Sequence, residues 1–194
     1  MQQKSLQKGF TLIELLIVIA ILSILAVAVI LTLNPAQMLA QARDSQRISD
    51  MATLKSAIAL YLVDVTSPSI GTASLCYASF TGLASTTGCG GRMVAATVTT
   101  TTAANAGSST GGGWIPINFA TITYGSPLGN EPVDPINNAT YFYSYATNAA
   151  SSYQFEIDAN MESTRYASSG TSDVESTDGG SSSSIYEVGT NLGL

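Results

Sequence analysis

The sequence predicts an α+β fold: one long N-terminal helix, membrane-spanning in its first half, lies with its second half on a small antiparallel sheet. Three observations predict it. Residues 15–33 carry no charge, and Ser23 and Thr32 are their only polar side chains. Apolar residues then recur at Ile48, Met51, Leu54, Ile58, Tyr61, Leu62 and Val65, the three- and four-residue spacing of one helical stripe. Far downstream, Tyr153-Gln154-Phe155-Glu156-Ile157-Asp158-Ala159 alternates apolar and polar as a half-buried strand does, after an aromatic run at 140–146.

The first half of the helix is apolar all round. About 20 such residues at roughly 1.5 Å each match a hydrocarbon core of about 30 Å. Lys4 and Lys8 precede the run and argue for a cytoplasmic N-terminus. Glu14 interrupts it, and a carboxylate there costs about 2.5–3.5 kcal/mol. Such a group needs a partner, and none is evident within its own helix; Lys8 lies before Gly9. In an ordinary secretory signal the small residues of the cleavage site follow the apolar core. Here Gly9 precedes it, so cleavage after Gly9 would remove the basic leader, keep the helix and free an amine on Phe10. That amine can neutralise Glu14 of a neighbouring helix shifted along its axis.

No glycine stands between Gly9 and Gly71, so helical character runs on to about Val65, roughly 80 Å in all. A kink is expected at Asn34-Pro35, where proline lacks a donor and crowds the preceding turn. Asp44, Arg47, Asp50, Lys55 and Asp64 mark solvated positions. Asp44 with Arg47, and Asp50 with Lys55, make weak pairs at best.

Ser67-Pro68-Ser69-Ile70-Gly71 ends the helix. Residues 67–113 read as a Ser/Thr/Gly-rich connection, largely loop, with a short strand at 75–80. Residues 97–102 have strand propensity but no apolar stripe. Cys76 and Cys89 fall where the topology places the chain outside the cytoplasm, a compartment that permits a disulfide. A bridge would close a loop of about 15 residues, worth roughly 3 kcal/mol; two free thiols are the alternative. Residues 114–194 form the sheet head. Trp114-Ile115-Pro116-Ile117-Asn118-Phe119 anchors the connection to the core, and 140–146 pairs with 153–159 as a hairpin. Tyr153, Phe155 and Ile157 face the helix, and 185–188 supplies a last strand, for three or four strands in total.

Composition narrows the function. The chain has no histidine, so a Ser-His-Asp triad is impossible and an enzyme is not expected. The formal charge is −6, and −8 once Lys4 and Lys8 leave with the leader (five basic against thirteen acidic). Beyond Thr66 only Arg92 and Arg165 are basic, so no direct nucleic-acid partner is expected.

Lys8-Gly9-Phe10-Thr11-Leu12-Ile13-Glu14 ahead of an apolar helix resembles the N-terminus of type IV prepilins and type II secretion pseudopilins. The resemblance implies cleavage between Gly9 and Phe10 by a prepilin peptidase, N-methylation of Phe10, and a bond from Glu14 to a neighbouring subunit's Phe10 amine during assembly. It implies residues 1–9 as leader, 10–34 as transmembrane and filament-core helix, and 35–66 as the amphipathic half. It implies a structural subunit of an extracellular helical filament, or fimbrium, serving adhesion, motility or uptake. Its partners are copies of itself, the peptidase, the membrane before assembly, and an inner-membrane platform with an ATPase motor. The alternatives are a major pseudopilin of type II secretion, or a minor pilin acting as a tip binding module. The chain departs from many pilins in having Leu31 where they carry proline and Ser23 where they carry glycine. Asp134-Pro135, Asn137, Tyr141 and Tyr143 resemble the major pseudopilin, a family in which calcium staples the loop after the strands. The comparable acids here are Asp173, Glu175 and Asp178, against the plainer reading of a solvated acidic loop with no cofactor.

Overall fold

The computed structural model describes residues 9–83, 88–93, 97–100, 107–148 and 152–194. The expected leader before Gly9, and parts of the expected 95–113 loop and 147–152 turn, lie outside the described residues. The chain divides into two units, Met1–Leu39 and Ala40–Leu194.

In the first unit, α1 (Leu12–Leu33) is capped by Thr11, whose extended backbone and side chain start the helix. Its described large apolar side chains are exposed, for example Leu16 at 55% and Ile24 at 72%. Ser23 donates its hydroxyl to the Ile19 carbonyl (2.7 Å) and Thr32 to that of Val29 (3.0 Å). The two polar side chains of the run are thereby satisfied within the helix that carries them.

The single helix expected from sequence is two. Asn34 lies between them with φ 41° and ψ 75°, a left-handed conformation that ends α1. Asparagine tolerates that region better than other non-glycine residues. Pro35 then opens α2 (Pro35–Asp64) at the first helical position, where its missing N–H costs nothing. The Asn34 carbonyl accepts from the Gln37 amide at 3.0 Å, so one residue closes one helix and starts the next.

In the second unit, α2 buries Ala40, Asp44, Arg47, Met51, Leu54, Ile58 and Tyr61 along one face. The apolar stripe read from sequence therefore continues toward the N-terminus in charged residues. Asp44, Arg47 and Asp50 are buried, not solvated as expected. Arg47 and Asp44 form a fully buried pair at 2.7 Å, and Asp50 accepts from Gln46 and Tyr143, with no bond to Lys55. The spacing was legible; the partners, contributed from far downstream, were not.

Five strands form one sheet in the order β2-β1-β3-β4-β5: β1 (Leu75–Ala78), β2 (Thr97–Thr100), β3 (Ser144–Asn148), β4 (Gln154–Ala159) and β5 (Tyr186–Gly189). All neighbours are antiparallel except β1 with β2, which run parallel. Residues 97–100, expected as loop, thus add an edge strand through backbone pairing, which needs no apolar stripe. The hairpin β3–β4 pairs Tyr145 with Ile157 and Thr147 with Phe155.

One sheet face carries Tyr143, Tyr145, Phe155, Ile157 and Val188 into a core with Met51, Leu54 and Ile58 of α2. Trp114, Ile115, Ile117 and Phe119 fill it, and the Trp114 indole N–H is satisfied by the Pro132 carbonyl at 2.9 Å. Tyr153, expected in that core, has φ 52° and is 43% exposed, because the chain is still turning there. The opposite face is not open to solvent. Cys76, Ala78, Cys89, Met93, Phe142 and Ala146 make a second apolar cluster over it, joined by Leu194.

Candidate functional site

The N-terminal site is built around α1. Phe10 is 86% exposed at its head. Glu14 is the third residue of the helix, and its Oε2 accepts from the Thr11 amide (2.9 Å) and the Thr11 hydroxyl (2.7 Å). The Glu14 amide donates back to Thr11 Oγ1 at 3.3 Å. This is a reciprocal capping box. It corrects the expectation that Glu14 has no partner in its own helix. The Thr11-x-x-Glu14 spacing carries that signal. Leu12–Ile30 is long and apolar enough to cross a membrane, and none of it is buried.

In the head, Cys76 of β1 and Cys89 form a disulfide with Cα atoms 5.9 Å apart. Cys89 reaches it from a tight left-handed turn: Gly88, Cys89, Gly90 and Gly91 all have positive φ. At Gly88 a Cβ would sit 1.8 Å from the Met93 carbonyl oxygen, so only glycine fits. The same turn delivers Arg92 beneath the second cluster. Its guanidinium lies over the Phe142 ring and donates to the carbonyls of Phe142 (2.6 Å) and Thr140 (2.8 Å). Burial pulls its pKa down to about 10, against the nearby Asp158 charge.

Asp173, Glu175 and Asp178, expected as calcium ligands, are each engaged by backbone amides. Asp173 accepts from the Ser169 and Ser176 amides, and Glu175 from those of Met161 and Ser168. Asp178 accepts from the Gly180 and Glu187 amides. Each carboxylate organises a turn of its own. The Ser176 hydroxyl holds Asp173 below the usual carboxylate range, while burial pushes Asp178 above it.

The acids that converge are others. Glu156 and Asp158 of β4 and Glu187 of β5 bring carboxylate oxygens within 4.8 Å of one another, all buried. In the sequence Glu156 and Asp158 fall at the polar positions of the alternating 153–159 run, and Glu187 within the expected last strand. The 88–93 turn and the C-terminal residues cover them. The spacing of Glu156 and Asp158, two apart and so on one face, was the available signal.

Residues 4–30 match the family model described as the prokaryotic N-terminal methylation motif. No curated protein and no solved structure matches the chain significantly.

Proposed function

We propose that this chain, a type IV pilin-like precursor by its N-terminal methylation motif and membrane-anchored through α1, is the structural subunit of an extracellular helical filament. The observation that carries the reading is α1 itself. It is a helix of 22 residues whose large apolar side chains are exposed and whose only charge is Glu14. Such a surface needs lipid first and other copies of itself later. Ala20, Ala26 and Ala28 leave room for close helix approach.

In this reading the prepilin peptidase cuts between Gly9 and Phe10, and Phe10 is methylated on its new amine. Glu14 then exchanges its capping contacts for the Phe10 amine of a neighbouring subunit, which fixes the axial register. An inner-membrane platform with an ATPase motor lifts the subunit from the bilayer. Adhesion, motility or uptake follows from what the assembled filament touches.

The test is the intact mass of protein recovered from sheared cell-surface filaments. A mass lacking residues 1–9 and carrying one methyl supports the reading, as does loss of filaments in Glu14→Val with processing retained. Processed protein found only in the membrane fraction moves the secretion pseudopilin, or a minor tip subunit, ahead. An uncut leader in a host with active peptidase sinks the pilin reading altogether.

A further inference from the structure

We propose that Glu156, Asp158 and Glu187 form a binding site for a hard divalent cation of the calcium type, on the sheet face turned away from α2. The site is distinct from the 173–178 loop and does not depend on whether the filament forms.

The first observation is convergence under cover. Three carboxylates share a space in which their oxygens lie within 4.8 Å of one another, and their residues are 1%, 0% and 2% exposed. Buried carboxylates need compensation, since taking ions out of water is expensive unless an opposite charge meets them. Among the described residues the cation acting on Asp158 is Arg92. Were all three ionised, they and the Arg92 guanidinium would carry a net charge of −2, which one divalent cation would cancel.

The second observation is independent of the first. Asp158 Oδ1 is fully buried and accepts no hydrogen bond. Its other oxygen receives a long contact from the Ser144 hydroxyl, at 3.4 Å. Leaving such an atom unmatched costs about 1–3 kcal/mol, more for a charged group. Asn160, two residues on, carries a second buried side-chain oxygen without a donor. Elsewhere the shell is well supplied. Leu194 N–H donates to Glu156 Oε2 at 2.6 Å, and Ser182 N–H to Glu187 Oε2 at 2.9 Å. These donors hold Glu156 and Glu187 in place, while Asp158 Oδ1 is left without one.

The 4.8 Å bound admits either ion, so donor type and tolerance of irregular geometry select it. The ligands are all oxygen, which suits calcium or magnesium and not the softer metals. Calcium binds oxygens at about 2.3–2.6 Å, so ligands on opposite sides stand about 4.6–5.2 Å apart. Magnesium at about 2.0–2.1 Å draws them to about 4.2 Å and demands octahedral order. Ligands on two rigid strands, with water filling the rest, suit the looser ion. A cleft lined by Arg92, Phe142, Asn160, Ser182 and Ile185 lies beside the cluster, sharing with it Arg92, which acts on Asp158, and Ser182, which donates to Glu187.

The experiment uses the full chain in detergent, stripped with EDTA and exchanged into chelator-free buffer near pH 8. Calorimetric titration with calcium chloride, then magnesium chloride, is paired with thermal unfolding. We expect one calcium per chain, a higher unfolding midpoint with calcium, and weaker binding of magnesium. Glu187→Gln and Asp158→Asn should each weaken calcium by about tenfold or more, whereas Asp173→Asn should leave it unchanged. No saturable uptake of either ion up to about 1 mM overturns the proposal. So does calcium binding that survives Glu187→Gln but is lost in Asp173→Asn. Should Asp158→Asn fail to fold, the wild-type titration and the Glu187→Gln and Asp173→Asn pair still decide.

Discussion

Arg47 of α2 and Asp134, 87 residues downstream, meet in a two-pronged ion pair from which water is fully excluded, Nε to Oδ2 at 2.6 Å and Nη2 to Oδ1 at 3.0 Å. Asp44 takes the third side of the guanidinium at 2.7 Å. Asp134 also accepts from the Ile136 and Asn137 amides, so it shapes its own loop while holding the helix. Burial works against the Arg47 charge, yet the bonds and charges of Asp134 and Asp44 keep its pKa above the ordinary value. Removing one partner of a buried pair strands the other. Arg47→Ala should therefore lower stability by about 3–5 kcal/mol, read from urea unfolding of the full chain in detergent. A loss under about 1 kcal/mol, the range of exposed pairs, would contradict the burial described.

The Cys76–Cys89 bridge holds the turn that carries Arg92. Cys76→Ser with Cys89→Ser should cost about 2–4 kcal/mol. Gly88→Ala should interfere from the other direction, because its Cβ collides with the Met93 carbonyl at a backbone angle of φ 62°. Free-thiol titration of Gly88→Ala checks this. The expected result is incomplete bridging; quantitative bridging with wild-type stability would count against the geometry.

Glu131 predicts a pH dependence. It is 2% exposed, its Oε1 has no donor, and its Oε2 accepts from the Ile115 amide at 3.0 Å. Burial pushes its pKa up to about 8 in the folded chain, from 4.5. Between those values the folded state binds more protons than the unfolded one. Its contribution to stability is complete below about pH 4.5 and is lost as pH rises toward 8, at up to about 1.4 kcal/mol per unit. Glu131→Gln should flatten that part of the profile and raise stability at pH 8. Unfolding midpoints measured from pH 5 to pH 9 in both proteins decide it, and an unchanged slope in the variant would refute it.

At Asn34 the left-handed backbone discriminates among side chains. Asn34→Gly should be nearly neutral, whereas Asn34→Val should cost about 1–2 kcal/mol locally. The amides of Gln37 and Met38, which donate to the Asn34 carbonyl at 3.0 and 3.3 Å, are the reporters. Their hydrogen exchange should quicken in the valine variant alone.

What could be read beforehand was what depends on local pattern. Apolar continuity identified α1, the stripe from Met51 to Tyr61 identified the packed face of α2, and alternation identified β4 with Phe155 and Ile157 inward. What could not be read depends on a second layer. Asp44, Arg47 and Asp50 look solvated until Asp134 and Tyr143 arrive over them. Glu156 and Asp158 look solvated until the 88–93 turn and Leu194 cover the sheet's other face. Residues 97–100 look like loop because an edge strand can be recruited by backbone alone. Charge pairs distant in sequence leave no periodicity, so composition suggests a wet surface where the fold makes a dry one.

The disulfide has a consequence for timing. Thiols stay reduced in the cytoplasm and are oxidised only beyond it. The turn that brings Arg92 under the sheet cannot be locked while the head is still on the synthesis side of the bilayer. The oxidation state of Cys76 and Cys89 is thus a chemical date stamp on each molecule. A thiol-reactive label added to living cells separates newly made chains from those whose heads have crossed, with no need to see a filament.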